Sequence, residues 1–190
     1  FTNARAFDTI ARAAMKAGVA LVSGTTRLSE ESRALLDKAA EKIPVLWAPN
    51  MSVGVQVLGK LVEEAARALG DYDIEIVETH HNQKVDAPSG TATFLLEAAQ
   101  RARTDGKAVH GREGQVGART REEIGVHAIR GGGVIGDHSV HLIGPFDRIE
   151  ITHRAISRDL FAAGAIRAAR FLAGKAPGRY ELSDTLKDQA

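Results

Sequence analysis

The sequence predicts an α/β protein in two parts: the end of a parallel, βαβ-type sheet, followed by an α+β unit on a mixed, largely antiparallel four-stranded sheet. Three observations predict it. Over residues 1–50, short apolar runs alternate with amphipathic helical segments, which is the pattern of βαβ units. From Asp73 the pattern becomes the strict alternation of a strand, in D-I-E-I-V-E-T-H. After Glu123 come three further strand-like runs, joined by glycine-rich connections too short for a crossover helix.

The first helix reads from N-A-R-A-F-D-T-I onward, with Thr2 or Asn3 as its cap and Gly18 as its stop. V-A-L-V-S-G is a short buried strand, Ser29 to Lys42 a helix, and I-P-V-L-W a second strand. Two parallel strands cannot bury both faces of a sheet, and no initiator methionine precedes the first helix. Both features predict further strands before Phe1. Ser52 to Leu69 carries apolar side chains at Val57, Leu58, Leu61, Val62 and Ala65, a helical stripe ending at Gly70, and its early glycines predict close packing against another backbone. T-A-T-F-L-L-E-A-A-Q-R-A is a helix, whereas the Gly- and Arg-rich stretch from Thr104 to Glu123 reads as a mobile, solvated loop. The runs from Ile124, Val134 and Arg148 predict a meander added to the strand before His80. Apolar residues on its uncovered face predict self-association. A helix from about Ser157 to Gly174 and a short tail close the chain.

Composition removes several functional classes. The 25 basic and 24 acidic residues leave a net charge of +1, so no global field draws in nucleic acid or an anionic membrane. Zero cysteines remove disulfides, thiolate ligands and cysteine nucleophiles, and suit a reducing cytoplasm. No apolar run approaches membrane-spanning length. The expectation is a cytoplasmic, soluble protein.

Polar chemistry concentrates in E-T-H-H-N-Q-K-V-D-A-P-S-G-T-A, Glu78 to Ala92. A turn feeding a helix N-terminus aims backbone N–H groups at one point, and the helix dipole favours an anion there. Lys84, His80 and His81 stand just upstream. Adjacent strand residues face opposite ways, so both histidines share one site only if the strand breaks between them. His138 and His141 also face opposite ways and no H-E-x-x-H occurs, so no metal site is expected. Ser89 lies in A-P-S-G-T rather than in a nucleophile elbow and reads as a cap. The loops Ser23–Thr26 and Ala48–Ser52 follow the two parallel strands, where ligands bind such sheets. Ordinary turns and ligand loops both remain open for them. On residues alone, protonation of a bound anionic substrate and simple anion binding are both open.

The motif E-x-H-H-x-x-K-x-D-A-P-S-G-T-A resembles the signature of the dihydrodipicolinate reductases, also called 4-hydroxy-tetrahydrodipicolinate reductases, of lysine biosynthesis. G-T-T at Gly24, A-P-N-M-S-V-G-V at Ala48, R-E-G at Arg112, R-x-G-x-x-x-G-x-H at Arg130, E-I-T-H at Glu150 and S-R-x-x-F-A-x-G-A at Ser157 extend the resemblance in order. Arg27 departs from it, standing where the family often has glycine, and Phe146-Asp147 stands for a frequent Gly-Glu.

This resemblance implies a partial Rossmann-type sheet whose N-terminal half is absent, in residues 1–50 of a dinucleotide-binding domain. Residues 51–157 would be the substrate-binding and oligomerisation domain, and 158–190 a helix and tail returning to the first. It implies hydride transfer from NADPH or NADH to a cyclic unsaturated imine dicarboxylate, in a homotetramer formed through the mixed sheet. His80 resembles the general acid, with Lys84 sharing in proton delivery. His81, Lys84, Ser89, Gly90 and Thr91 resemble the substrate contacts, and Gly24, Thr25, Thr26, Ala48, Pro49, Asn50 and Met51 the loops at the nicotinamide end. The family's G-x-x-G-x-x-G turn has no counterpart here, so the coenzyme choice is not legible. A non-catalytic anion-binding module, or another oxidoreductase of small carboxylates, would share much of this pattern.

Overall fold

The computed structural model describes residues 4–187. In chain order the elements are α1 (Ala4–Ala17), β1 (Leu21–Ser23), α2 (Glu30–Ala40), β2 (Pro44–Trp47), α3 (Val53–Ala68), β3 (Asp73–His80) and α4 (Gly90–Ala102). There follow β4 (Lys107–His110), β5 (Glu123–Arg130), β6 (Asp137–Ile143), β7 (Arg148–Arg154), α5 (Asp159–Leu172), β8 (Gly178–Tyr180) and a 3-10 turn, Leu182–Leu186. These elements form two compact units. One runs to Val53 and resumes at Asp159, and the other is Gly54–Arg158.

In the first unit, Phe7, Ala11 and Ala14 recur at helical spacing and bury one face of α1 against Leu35, Leu36 and Ala39 of α2. Gly18, at φ 65°, ends α1, while the caps expected at Thr2 or Asn3 lie outside the described residues. Ser29 caps α2 by accepting from the Ser32 N–H at 3.2 Å, and Glu30 and Glu31 sit at the positive end of the helix dipole. The sheet is parallel in the order β1-β2-β8. Its third strand comes from the tail, where three residues are too few for any alternation to show. α5 covers this sheet, burying Ala168 and Leu172 with Leu46, Met51 and Leu182.

The second unit holds a five-stranded sheet in the order β4-β5-β3-β6-β7, which corrects the expectation of four strands. The extra strand, β4, lies in the stretch expected to be a mobile loop, and it pairs in parallel with β5. The expected meander is also corrected. β5 runs parallel to β3 on one side (Ile76 opposite Val126) and β6 antiparallel to it on the other (Ile76 opposite Val140). The connection from Gly131 to Gly136 therefore steps over the end of β3 instead of folding a hairpin. Two strand spacings are about 10 Å, within reach of six residues. The crossing is fixed by hydrogen bonds from Gly131 N to His80 O at 2.9 Å and from His81 N to Val134 O at 2.7 Å.

One face of this sheet carries Ile74, Ile76, Ile124, Val126, Val140 and Leu142 against Leu58, Val62 and Ala66 of α3 and Ala92, Leu95 and Ala99 of α4. Each such side chain contributes about 2 kcal/mol on burial, which fixes the strand phase. Gly59 of α3 receives the ring of Phe94, a side chain rather than the expected backbone. The opposite face is more polar than expected: Glu75 lies in register with His141 and Gly125, and Val77 with Ser139 and His127. Only Val77, Ile129 and Ile143 interrupt that polarity on these three strands. The arginines of the supposed loop act here. Arg112 donates to both oxygens of Glu75 at 3.1 and 2.9 Å, and Arg119 donates to Glu75 at 3.1 Å and Asp73 at 2.6 Å. Among the described residues no helix is long and apolar enough to cross a membrane.

Candidate active site

The alternation of β3 turns Ile74, Ile76, Glu78 and His80 to the helix-covered face, so the apolar run ends in a buried carboxylate and a buried imidazole. The strand stops at His80. His81 lies past its end, half-buried, with its backbone held by Val134, so the break that two neighbouring histidines require is present. Ser89 caps α4, its hydroxyl accepting from Ala92 N at 3.1 Å. Gly90 and Thr91 form the first turn behind it.

Glu78 joins these pieces. Its Oε1 accepts from Ser89 N at 3.2 Å and from Arg130 at 2.8 Å, while Oε2 contacts His80 Nδ1. Burial by itself would raise the Glu78 pKa. The Arg130 hydrogen bond, the adjacent His80 and the Ser89 N–H outweigh it and hold the carboxyl below its usual range. For His80, burial lowers the pKa, Glu78 opposes the shift, and Lys84 and Arg130 add to it. A second imidazole, His138 of β6, stands edge-on to His80 with ring centroids 5.1 Å apart. Its Nε2 lies 3.1 Å from the Ser89 hydroxyl. Burial first, and then the neighbouring His80, push its pKa down to about 4, so at neutral pH this ring is uncharged.

Lys84 Nζ reaches both oxygens of Asp86, at 2.8 and 2.9 Å. The lysine expected to meet an anion thus already holds a carboxylate beside the site. Glu78, His80 and His138 bring donor atoms within 4.8 Å of one another, a spacing that a metal could also use. Arg130 and the imidazole contact give that carboxylate a cationic partner and a proton partner instead. The structure therefore brings His80, Ser89 and the start of α4 together, with Lys84 near them. Sequence reasoning gave Glu78, Arg130 and His138 no role. Alternation placed Glu78 in phase with His80, but only strand register sets Glu78 opposite His138.

In the first unit, the loops after β1 and β2 lie side by side, since Ala48 N donates to Ser23 O at 3.1 Å and Trp47 Nε1 to Thr25 O at 2.8 Å. Thr25, Ala48 and Met51 are buried, Gly24 and Asn50 half-buried, and Thr26 and Pro49 exposed. Asn50 Oδ1 accepts from Ser52 N at 2.8 Å and tightens the second loop. Gly164 of α5 backs onto the Met51 carbonyl, where a Cβ would overlap the oxygen.

A parallel sheet with adjacent carboxyl-edge loops, carried with a mixed-sheet unit that gathers histidine, lysine and a helix N-terminus, defines a two-unit α/β protein. The family model for the N-terminus of dihydrodipicolinate reductase matches residues 1–51, and that for its C-terminus matches residues 54–186. The chain belongs to the dihydrodipicolinate reductase family. It is 56% identical over 170 residues to the 4-hydroxy-tetrahydrodipicolinate reductase of Syntrophotalea carbinolica, a match covering 87% of this chain and 64% of that protein. To the enzyme of the same name from Myxococcus xanthus it is 48% identical over 189 residues, covering 98% of this chain and 70% of the relative. Among solved structures, the dipicolinate-bound dihydrodipicolinate reductase from Paenisporosarcina sp. TG-14 superposes with a TM-score of 0.77 at 25% identity, covering 97% of this chain and 71% of that one.

Proposed function

We propose that this chain supplies the substrate half, and part of the coenzyme half, of an NAD(P)H-dependent 4-hydroxy-tetrahydrodipicolinate reductase acting in lysine biosynthesis. The observation that carries the reading is the convergence of a buried imidazole with a capped helix N-terminus, joined by the single carboxylate of Glu78. The substrate class is a cyclic unsaturated imine dicarboxylate, in keeping with the dipicolinate held by the Paenisporosarcina protein. One substrate carboxylate is received by Ser89, Gly90 and Thr91, where the helix dipole favours negative charge, and by His81 and Lys84, the latter exchanging Asp86 for the ligand.

A reduced nicotinamide, NADPH or NADH, supplies the hydride when bound. Its nicotinamide end would be held by Gly24, Thr25, Thr26, Ala48, Pro49, Asn50 and Met51, a fit supported by the adjacency of the two loops at the carboxyl edge of a parallel sheet. Hydride addition leaves negative charge on the substrate ring, and His80 delivers a proton to it, with Lys84 assisting. Burial lowers the pKa of His80, and the arriving dicarboxylate raises it by placing negative charge nearby. The imidazole is thereby charged when there is something to protonate. We also assign the protein to the cytoplasm, in keeping with its lack of cysteine. Its assembly is a homotetramer through the polar sheet face, which α3 and α4 leave uncovered.

His80→Gln in the full-length protein is expected to lower kcat by on the order of 100-fold while binding of a dicarboxylate analogue changes little. Lys84→Ala is expected to weaken that binding instead. Steady-state NAD(P)H oxidation and calorimetric titration with dipicolinate read the two effects. Unchanged turnover in His80→Gln removes the acid assignment, and dipicolinate binding with no NAD(P)H oxidation by the unmodified protein would favour a non-catalytic anion-binding module.

A further inference from the structure

Glu78 is completely buried, and two hydrogen bonds and one close imidazole contact converge on it, its Oε2 and the imidazole Nδ1 having no other partner among the described residues. Arg130 and Ser89 N both use Oε1, which leaves Oε2 to the imidazole of His80 alone. A carboxylate can only accept, so the nitrogen facing it must carry hydrogen. The other edge of the ring is also defined. A Cβ on Gly136 would come within 3.0 Å of His80 Nε2, so the absence of a side chain keeps that nitrogen clear.

We propose that Glu78 is the positioning residue of the reaction: it fixes His80 as the Nδ1–H tautomer with Nε2 turned to the substrate, and it ties that ring to the anion-receiving turn of α4. This inference rests on the reductase reading for its kinetic consequence, though not for the tautomer itself. The bond to Ser89 N and the contact with His80 Nδ1 use the two oxygens of one carboxylate, so proton donor and anion cradle share a rigid body. The Ser89 hydroxyl completes it by meeting His138 Nε2 while accepting from Ala92 N. After His80 gives up a proton from Nε2, the ring is left in the Nδ1–H form that Glu78 already favours. The proton passes to the substrate carbanion and the imidazolium becomes neutral imidazole, so charge and atoms balance.

A purely structural Glu78 would serve only to neutralise the half-buried Arg130. That cation has other acceptors, the carbonyls of Ile129 and Asp86, both at 2.8 Å. Glu78→Gln separates the roles. An amide has one acceptor oxygen for three donors, so its NH2 must face one of them. Arg130 and Ser89 N cannot become acceptors, but the imidazole can, by moving its hydrogen to Nε2. The variant thus reverses the tautomer and removes the charge that supports the imidazolium. The other groups around His80, Lys84 after β3, Arg130 of β5 and His138 of β6, offer no compensating negative charge.

The test uses the full-length protein with 15N-labelled histidine. In the unmodified protein the neutral His80 ring should show a protonated Nδ1 and a bare Nε2, and Glu78→Gln should invert this. With NAD(P)H and the imine dicarboxylate, Glu78→Gln should lose on the order of 100-fold in kcat. KM should stay within about threefold, and the alkaline limb of kcat should move to lower pH, while Glu78→Asp recovers part of the rate. A neutral Nε2–H ring in the unmodified protein overturns the proposal, and so does a Glu78→Gln enzyme with normal kcat and limb. Should that variant not fold, the spectrum of the unmodified protein still decides the tautomer. Should the unmodified protein reduce nothing, the reductase reading fails while the tautomer is still judged.

Discussion

His138 shows how much a single side chain can depend on pairing that the chain does not announce. It enters the cluster because β6 lies antiparallel to β3 in a register that sets it opposite Glu78, sixty residues away. His80, Lys84 and Ser89 were legible because a short stretch of chain gathers them, whereas the partnership of Glu78 with Arg130 and His138 was not, because strand order makes it. The buried form of His138 is the neutral one, so its folded pKa, about 4, lies below the unfolded value near 6.5. Its contribution to stability is therefore complete above pH 6.5 and is lost as pH falls towards 4, by about 3 kcal/mol. His138→Asn, which retains an acceptor for Ser89 without the titration, should flatten the dependence of chemical denaturation on pH across that window. An unchanged slope would show that other groups set it.

At the scale of elements, long periodic helices and the eight-residue strand β3 announced themselves, whereas β4 and β8 did not. Four largely exposed residues and three tail residues carry no readable period. Arg27 is a sharper case. Its φ of 58° is the left-handed region in which a side chain is strained and a glycine would not be. α5 depends on a glycine for another reason. Gly164 lies against the Met51 carbonyl with no room for a methyl group, so Gly164→Ala must push α5 off the loop that follows β2. A loss of roughly 1–3 kcal/mol is expected, read as a lower denaturation midpoint. Because that loop holds four of the proposed nicotinamide contacts, NAD(P)H affinity should fall with it. A variant with wild-type midpoint and coenzyme affinity would show that the helix has slack.

Over the whole molecule, the open sheet face is organised by charge. Burial would raise the Glu75 pKa, but hydrogen bonds from Arg112, His127 and Arg119 lower it to about 2 from the usual 4.5. Gly125 makes this possible, since a Cβ there would occupy the space of the Glu75 carboxylate. The folded pKa is depressed, so this stabilisation is fully present above pH 4.5 and disappears as pH falls towards 2, by at most about 3 kcal/mol. Glu75→Gln should be less stable than the parent at neutral pH, and the difference should close in acid. Parallel curves would deny the network its role. The sequence could not show this, because Arg112 and Arg119 looked like solvated loop residues until β4 placed them beside the sheet.

The polypeptide leaves the first unit at Val53 and returns to it only at Asp159. A nascent chain emerging from the ribosome thus presents all of the second unit before β8, the outer strand beside β2, has been made. Until then the β2 edge stays open, so the order of synthesis makes the second unit the first that can be completed and the parallel sheet of the first unit the last.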